Sequence, residues 1–157
     1  MSDKSCDHTS VGMIVSRGDE VLLIERRKQP YGFAAPAGHV DDDVTYEVAA
    51  ERELMEEVGL QANSLKLMLE KDVNNPCRRK DGDWHHWKVY EVSAEGNVRP
   101  SEQETKQFCW VSPEKLENLA DRTKSYLDHQ ITDEEWQKKP GLEVVWYEHF
   151  KAIGRIK

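Results

Sequence analysis

Apolar stretches along the first two thirds of the chain predict a series of β-strands. Two apolar runs, Val11 to Ser16 and Glu20 to Glu25, flank the turn sequence Arg17-Gly18-Asp19, and this arrangement predicts a β-hairpin. Further strands are predicted at Phe33 to Val40, Leu65 to Val73, Trp84 to Ser93 and Gln107 to Val111. The pattern therefore predicts a hairpin followed by four more strands.

Helical periodicity predicts one amphipathic helix between the strands and more helices near the end of the chain. Tyr46 to Val58 has helical spacing, with Thr45 as its N-cap and Gly59 as the residue that closes it. The chain is again helical in character from Leu116 to Lys157. Start signals for these later helices lie at Ser112-Pro113-Glu114, at Thr132 to Glu135 and after Pro140-Gly141, where a helix from Leu142 to Ile153 is predicted.

Three glutamates share one flank of the predicted central helix. At about 100° per residue, with Glu53 at zero, Glu57 falls at about +40° and Glu56 at about −60°. The apolar stripe predicted to pack on the sheet consists of Leu54, Val58, Met55 and Val48. Carboxylates this close repel one another, and Arg52 can offset only one of them. The cluster favours a hard divalent cation such as Mg²⁺, and hence phosphate chemistry; a solvated acidic face is the alternative.

Composition narrows the classes of protein to which this chain can belong. A length of 157 residues suits a single domain, and a net charge of −8 with a pI near 5.3 argues against loose binding to nucleic acid or anionic membrane. Met1 to Ser10 lacks the apolar run of a signal peptide. The cysteines, Cys6, Cys77 and Cys109, are odd in number and lack Cys-x-x-Cys spacing. They suggest neither a disulfide framework nor a zinc site, and favour a reducing, cytoplasmic setting.

A longer pattern runs from Gly38 to Leu60, which reads GHVDDDVTYEVAAERELMEEVGL. It resembles the Nudix box: a glycine, five residues, a glutamate, seven residues, then Arg-Glu-aliphatic-any-Glu-Glu-any-Gly-aliphatic. Eight of the nine specified positions match, namely Gly38, Arg52, Glu53, Leu54, Glu56, Glu57, Gly59 and Leu60. Val44 stands in place of the first glutamate and can neither bind a cation nor accept a hydrogen bond through its side chain. Nearby acids that could substitute are Asp41, Asp42, Asp43 and Glu47.

The resemblance to the Nudix hydrolases implies an α/β/α sandwich with a mixed sheet, here with extra C-terminal helices. The family core would occupy about residues 10–118, and the helical extension about residues 119–157. The implied cofactor is Mg²⁺, with Mn²⁺ as an alternative, and its implied ligands are Glu53, Glu56, Glu57 and the backbone near Gly38. Arg52 would orient the carboxylates. Glu104, in a late acidic loop, fits the further acid that often joins the metal site or acts as the base in this family; a surface loop is the alternative.

Basic and aromatic residues outside the box are candidates for binding substrate. Candidates for the phosphate groups are Arg26, Arg27, Arg78, Arg79 and Lys80, with a solvated loop as the alternative for each. Along the strand that holds Trp84, His85, His86 and Trp87, alternation places one indole and one imidazole on each face. One of these tryptophans could stack on a base, with core packing as the alternative. The two histidines lack a Cys or Asp partner at metal spacing and are not assigned as ligands.

Three hypotheses for the function follow. The resemblance implies hydrolysis of a nucleoside diphosphate linked to another group, such as a nucleoside triphosphate or a nucleotide sugar. Val44 motivates the alternative of a Nudix-fold module that has lost catalysis and senses a nucleotide or a partner. Aromatic residues of the tail predict core or homodimer packing, and a protein-interaction domain built around them is the third hypothesis; they are Trp136, Trp146, Tyr147 and Phe150.

Overall fold

The structure, a computed structural model, describes residues 4–157, so the first three positions of the segment Met1 to Ser10 lie outside the described residues. The described residues form seven strands and four helices. In chain order these are β1 (Thr9–Arg17), β2 (Glu20–Arg26), β3 (Phe33–Ala34), β4 (Ala37–Gly38), α1 (Tyr46–Val58), β5 (Gln61–Val73), β6 (His85–Glu95), β7 (Thr105–Val111), α2 (Pro113–Leu127), α3 (Asp133–Lys138) and α4 (Val144–Ala152).

The strands join into one mixed sheet with the order β3-β2-β1-β6-β5, while β4 pairs with β1 and β7 pairs with β2. Strands β1 and β6 run parallel, and the other neighbours run antiparallel. The predicted hairpin is confirmed, because Ser16 pairs with Val21 and Arg17 with Glu20 around a turn in which Gly18 has a φ of 63°. The parallel pair brings the starts of β1 and β6 to the same edge of the sheet.

Helices cover both faces of the sheet and bury two separate apolar clusters. On one face Met13 and Leu22 pack with Leu54 of α1. On the other face Ile14 of β1 packs with Trp146 of α4, in a cluster that also includes part of α2. Neighbouring residues of β1 thus point to opposite faces, as strand geometry requires. The predicted α/β/α arrangement with a mixed sheet is confirmed.

The predicted strand from Phe33 to Val40 is wrong as a single element, because it is split into β3 and β4. Strand β3 pairs with β2, whereas β4 pairs with β1. Pro36 lies between them and has no backbone N–H to continue a ladder. Its carbonyl still accepts a hydrogen bond from the Met13 amide at 2.9 Å. The break turns the chain across the sheet and carries it to the start of the box.

Helix α1 has the predicted bounds, with the Thr45 side chain accepting from the Val48 amide and Gly59 closing the helix at a φ of 71°. Its predicted buried face is partly wrong. Val48 and Met55 are 46% and 49% exposed. The buried residues of the helix are Ala49, Ala50, Leu54 and Val58. Small alanine side chains let the helix lie close to the sheet, and this rotates the buried face toward the glutamates.

The C-terminal region forms three helices, and they begin at or close to the three predicted start signals. Trp136, Trp146 and Phe150 are buried, and Tyr147 packs against the same cluster from a partly buried position. Packing in the core of the chain therefore accounts for these aromatic residues, and a homodimer stays a prediction. Among residues 4–157, no helix combines the length and apolar character needed to span a membrane.

Candidate active site

A cleft of about 460 Å³ lies beside β4 and α1. Residues of β4, of α1, of the segment between β5 and β6, and of the turn before β7 line it. They include Gly38, Glu53, Glu56, Glu57, Arg78 and Glu104. Acids and bases that are distant in sequence thus share one solvent-accessible hollow.

Strand β4 and helix α1 contact each other through the glutamates. A Cβ atom at Gly38 would lie only 2.1 Å from Glu53 Cδ, so the Glu53 carboxyl group occupies the space that a side chain would need. Glu57 Oε2 accepts a hydrogen bond from the Ala37 amide at 2.9 Å. The backbone of β4 therefore positions two of the three carboxylates.

Arg52 links the carboxylates to the loop that precedes α1. Its guanidinium group donates to Asp43 Oδ2 at 2.8 Å, to Glu53 Oε1 at 2.8 Å and to Glu56 Oε2 at 3.1 Å. Its remaining nitrogen donates to the His39 carbonyl oxygen at 3.0 Å. Because one arginine supplies donors in a fixed planar fork, it restrains all these groups together.

The acidic cluster carries more negative charge than its neighbours balance. Burial and the nearby Glu53 carboxylate raise the pKa of Glu57 to about 8. Burial also raises the pKa of Glu53, against the opposing effect of Arg52. Oxygen ligands gathered around a small cradle, with too little positive charge among them, fit a hard divalent cation. Glu53, Glu56, Glu57 and the backbone at Gly38 form a donor set of the kind that Mg²⁺ prefers.

Val44 is 91% exposed, so the position where the family has its first glutamate points away from the cluster. Three of the four acids proposed as substitutes have other positions or partners: Glu47 accepts from the Tyr90 hydroxyl, Asp41 pairs with Arg79, and Asp42 is exposed. Asp43 is the one that contacts Arg52. A carboxylate one residue earlier thus reaches the arginine of the box.

Glu104 lines the cleft beside two cations. Its carboxylate lies 3.3 Å from Lys28 Nζ and 3.4 Å from Arg78 Nη2. Its negative charge also contributes to the raised pKa of Glu57. The structure therefore brings Glu104 into the same cleft as the glutamates of α1.

Four of the other substrate-binding candidates line the cleft, and three do not, namely Arg27, Lys80 and Trp84. Arg26, Arg78, Arg79 and Trp87 belong to the lining, although Arg79 is held by Asp41 through a bidentate ion pair. Arg27 donates instead to the Glu102 and Thr105 carbonyl oxygens. Trp84 stacks on His8 with ring centroids 4.2 Å apart. Trp87 is 3% exposed, and its indole N–H donates to Asn75 Oδ1, so core packing describes it better than stacking on a base.

Sequence reasoning missed two other features near the cleft. Glu143 is buried in the lining, where burial raises its pKa against the effect of Arg26, and no local pattern marks it. His85 has no cysteine at metal-ligand spacing in the sequence, but in the structure its Nε2 atom lies 3.3 Å from Cys6 Sγ. The ligand atoms of Cys6, His39, Cys77 and His85 all lie within 4.8 Å of one another. Spacing along the chain gave no signal for this group.

Comparison with solved structures shows the same fold in several proteins. The MutT protein from Methanosarcina mazei Go1 matches 98% of this chain and 97% of its own length, with a TM-score of 0.68 and 19% identity. The E. coli ORF135 protein matches 93% of this chain and 89% of its own length, with a TM-score of 0.59 and 21% identity. A MutT NUDIX hydrolase from Burkholderia pseudomallei covers 68% of this chain and 84% of its own, with a TM-score of 0.59 and 24% identity.

The sequence identities to these solved structures are too low to assign the chain to a family, but a family model does assign it. The model of the NUDIX domain matches residues 7–131, which include the box, the loop between β5 and β6, and Glu104. This span is most of the chain, and it agrees with the eight matched positions of the box and with the sheet topology. The chain therefore belongs to the Nudix hydrolase family.

Proposed function

We propose that the protein hydrolyses the pyrophosphate bond of a nucleoside diphosphate linked to another group, in an Mg²⁺-dependent reaction. The observation that carries this proposal is the gathering of Glu53, Glu56 and Glu57 around Gly38 in one open cleft. The raised pKa of Glu57 supports it, because a cation would remove the repulsion that contributes to that shift. Substrates of the nucleoside triphosphate and nucleotide-sugar types fit the proposal.

The glutamates of α1 and the backbone at Gly38 would hold the ion, with Mn²⁺ as an alternative to Mg²⁺. When bound, such an ion polarises phosphoryl oxygens and acidifies water. Arg52 keeps Glu53 and Glu56 in place through hydrogen bonds of 2.8 and 3.1 Å. Asp43 holds Arg52 in turn, and so takes the part that Val44 cannot play. Arg52 and Asp43 would thus keep the carboxylates directed at the position of the ion.

Two carboxylates are candidates to accept the proton from the attacking water. Glu57 has a pKa of about 8 without a cation, and a bound cation would lower this pKa and give the charged carboxylate that a base needs. Glu104 lies in the same cleft and is more exposed, with its charge offset by Lys28 and Arg78. Replacing each by glutamine separates the two roles. Loss of the base removes one limb of the pH–rate profile, whereas loss of a metal ligand shifts the Mg²⁺ concentration needed for activity.

Arg26 and Arg78 are the basic residues best placed to receive the phosphate groups. Both line the cleft, and each also contacts an acid: Arg26 lies 3.9 Å from Glu143, and Arg78 lies 3.4 Å from Glu104. Arg26 Nε also donates to the Pro30 carbonyl oxygen at 2.7 Å, so a polyanionic substrate would bind the outer nitrogens of these guanidinium groups. The net charge of −8 makes these local cations more important for binding an anion.

Incubation of the purified protein with Mg²⁺ and a panel of candidates tests the proposal. The panel holds nucleoside triphosphates, nucleotide sugars, ADP-ribose, dinucleoside polyphosphates and NADH, and the readout is the release of phosphate, pyrophosphate or mononucleotide. Turnover that depends on Mg²⁺ and disappears in Glu57→Gln supports the proposal. Tight binding of a nucleotide without any turnover would instead favour a sensing module, the reading that Val44 motivates.

The proposed partner is a small nucleotide substrate, and the aromatic tail allows a homodimer as a second mode of association, which sedimentation at several concentrations tests. A reducing, cytoplasmic location agrees with the free thiols of Cys6, Cys77 and Cys109. Fractionation of cells that express the chain with a small tag tests the location.

A further inference from the structure

Four segments of the chain bring two thiols and two imidazoles together at one edge of the sheet. Cys6 precedes β1, His85 begins β6, and these two strands start side by side because they are parallel. His39 follows β4, whose Gly38 pairs with Val11 near the start of β1. Cys77 lies in the segment that leads into β6. The fold itself therefore assembles the group, although Cys6 and His85 are 79 positions apart.

Distances within the group match those of a tetrahedral ion site. Cys6 Sγ lies 3.6 Å from His39 Nε2 and 3.3 Å from His85 Nε2. Zinc bound to sulfur at about 2.3 Å and to nitrogen at about 2.05 Å in a regular tetrahedron gives a sulfur-to-nitrogen separation of about 3.6 Å. All the ligand atoms, including Cys77 Sγ, lie within 4.8 Å of one another. Small movements of the side chains would bring every atom to bonding distance of one ion.

Hydrogen bonds around His85 fix which of its nitrogens faces the group. The indole N–H of Trp87 donates to Asn75 Oδ1 at 3.0 Å, and since an indole only donates, the accepting atom of this amide is oxygen. His85 Nδ1 lies 3.1 Å from the same oxygen and must therefore be the donor in this contact. The lone pair of the neutral ring is then on Nε2, which points toward Cys6. Such an outer hydrogen bond orients histidine ligands in metal sites.

Backbone amides are directed at both sulfur atoms. The His8 amide donates to Cys6 Sγ at 3.3 Å, and the Arg79 amide donates to Cys77 Sγ at 3.4 Å. In each case the donor is two residues after the cysteine, and such donors stabilise negative charge on sulfur. Gly82 closes the turn around the second thiol, because a Cβ atom there would lie 2.1 Å from Cys77 Sγ. These amides favour negative charge on sulfur, but burial raises the pKa of the Cys6 thiol, so loss of its proton would accompany binding of the ion.

We propose that Cys6, His39, Cys77 and His85 bind one Zn²⁺ ion in a closed tetrahedral site. Two thiolates and two imidazoles in this geometry select zinc over Mg²⁺ or Ca²⁺, which prefer oxygen. Four protein ligands leave no position for water or substrate, so the ion is structural. The site is distinct from the glutamates of α1 and needs none of them.

The ion would join the N-terminal segment to two walls of the cleft. His39 is adjacent to Gly38, and its carbonyl oxygen accepts from Arg52. Cys77 is adjacent to Arg78, and both line the cleft. Backbone hydrogen bonds already connect the same segments, from the Cys6 amide to the Lys80 carbonyl at 2.8 Å and from the Cys77 amide to the Gly82 carbonyl at 2.7 Å. Zinc therefore stabilises the fold and fixes the segment that carries Arg78 and Arg79.

Metal analysis of the full chain tests the proposal without any assay of activity. Reduced protein is loaded with excess Zn²⁺ and freed of unbound metal, and we expect one zinc per chain by mass spectrometry of the metal. Co²⁺ in place of zinc should give thiolate-to-metal charge transfer and the visible bands of a tetrahedral ion. Cys77→Ser should lose both signals, whereas Cys109→Ser, which removes the thiol that is not part of the group, should keep them. Likewise His85→Gln should lose zinc, and His86→Gln on the exposed face should keep it.

A milder variant keeps the proposal testable if the cysteine variants fail to fold. Asn75→Ala keeps all four ligands and removes the acceptor that orients His85, so zinc affinity in competition with a chromophoric chelator should fall by about 10- to 100-fold. The proposal is overturned if reduced wild-type protein retains no stoichiometric zinc, or if Cys77→Ser binds zinc as tightly as the wild type. A disulfide between Cys6 and Cys77 in protein purified without reductant, together with failure to bind zinc after reduction, would also overturn it.

Discussion

Two clusters of candidate metal ligands lie side by side in this molecule, and they differ in how the chain builds them. The carboxylate cluster comes from Gly38 and one helix, within a single contiguous motif. The cysteine–histidine group comes from four separate segments and depends on the pairing of β1 with β4 and β6. A contiguous motif can be recognised in the local sequence, whereas a group drawn from separate segments exists only after the sheet has formed.

The two clusters also differ in chemistry. The carboxylates are hard oxygen ligands in an open cleft, where burial and the neighbouring Glu53 carboxylate raise the pKa of Glu57. Cys6 and His85 are buried, with soft or neutral ligand atoms directed at one another. An open site with spare ligand positions suits a substrate, while a closed site suits a permanent structural ion.

Glu57→Gln should remove catalysis without harming the fold. Because the carboxylate is both a proposed ligand and a candidate base, we expect turnover to fall by roughly 10²- to 10⁴-fold. Stability without metal should not fall, since burial already disfavours the charged form of Glu57. Steady-state kinetics and thermal melts measure both effects. Glu51→Gln, at an exposed position of the same helix, is the matched control, and activity in Glu57→Gln within tenfold of wild type would remove Glu57 from the site.

Stabilisation of the fold by Mg²⁺ should depend only on the carboxylate cluster, and stabilisation by Zn²⁺ only on the cysteine–histidine group. An ion present at about 100 times its Kd stabilises the folded state by about 2.7 kcal/mol. We expect Mg²⁺ to lose this effect in Glu57→Gln and to keep it in Cys77→Ser, with the opposite result for Zn²⁺. Thermal melts with each metal in both variants form the test. Loss of the Zn²⁺ effect in Glu57→Gln would show that the two clusters are not independent.

Local rules were enough to predict the box helix, its caps and the first hairpin, because Thr45, Gly59 and Gly18 act on their immediate neighbours. They were not enough for the buried face of α1, since Ala49 and Ala50 bring the helix close to the sheet and leave larger apolar residues outside. Nor could they find the cysteine–histidine group. Its members meet through a parallel strand pair whose partners are far apart in the chain, and strand pairing of that kind is not encoded in any short window.

A buried imidazole without a ligand partner offers a direct contrast to His85. His149 is fully buried between Trp87 and Trp146, and neither of its ring nitrogens has a hydrogen-bond partner within the described range 4–157. Burial lowers its pKa to about 3, compared with about 6.5 in an unfolded chain. The folded state therefore binds fewer protons than the unfolded state between these values. The contribution of His149 to the free energy of unfolding is therefore fully present above pH 6.5 and is lost as the pH falls toward 3.

His149→Phe should remove this acid sensitivity. Each pH unit below 6.5 lowers the free energy of unfolding of the wild type by about 1.4 kcal/mol through this residue. From pH 7 to pH 5 we therefore expect the stability of the variant, relative to that of the wild type, to rise by about 2 kcal/mol. Urea denaturation at the two pH values measures the difference. His86→Gln is the control with the opposite sign, because Glu70 and Asp72 raise the pKa of His86 and its contribution is lost as the pH rises. An unchanged slope in His149→Phe would contradict the assignment.

Asp43→Ala tests how the carboxylate cluster compensates for Val44. Loss of the hydrogen bond from Arg52 Nε, 2.8 Å long, should let the guanidinium group move and lower kcat by about tenfold. Binding of Zn²⁺ should be unaffected. The comparison variant is Asp42→Ala, which removes an exposed neighbouring acid. Equal activities in the two variants would show that Asp43 does not position Arg52.

Val44→Glu should have the smallest effect, because the side chain at this position is 91% exposed and Asp43 already contacts Arg52. In the wild-type background we expect a change within about 0.5 kcal/mol, or about twofold in kcat/KM. In the Asp43→Ala background the new glutamate should not recover the lost activity, since the side chain at position 44 points away from the guanidinium group. A tenfold gain from Val44→Glu alone would mean that the native cluster is impaired, and would favour the sensing role over catalysis.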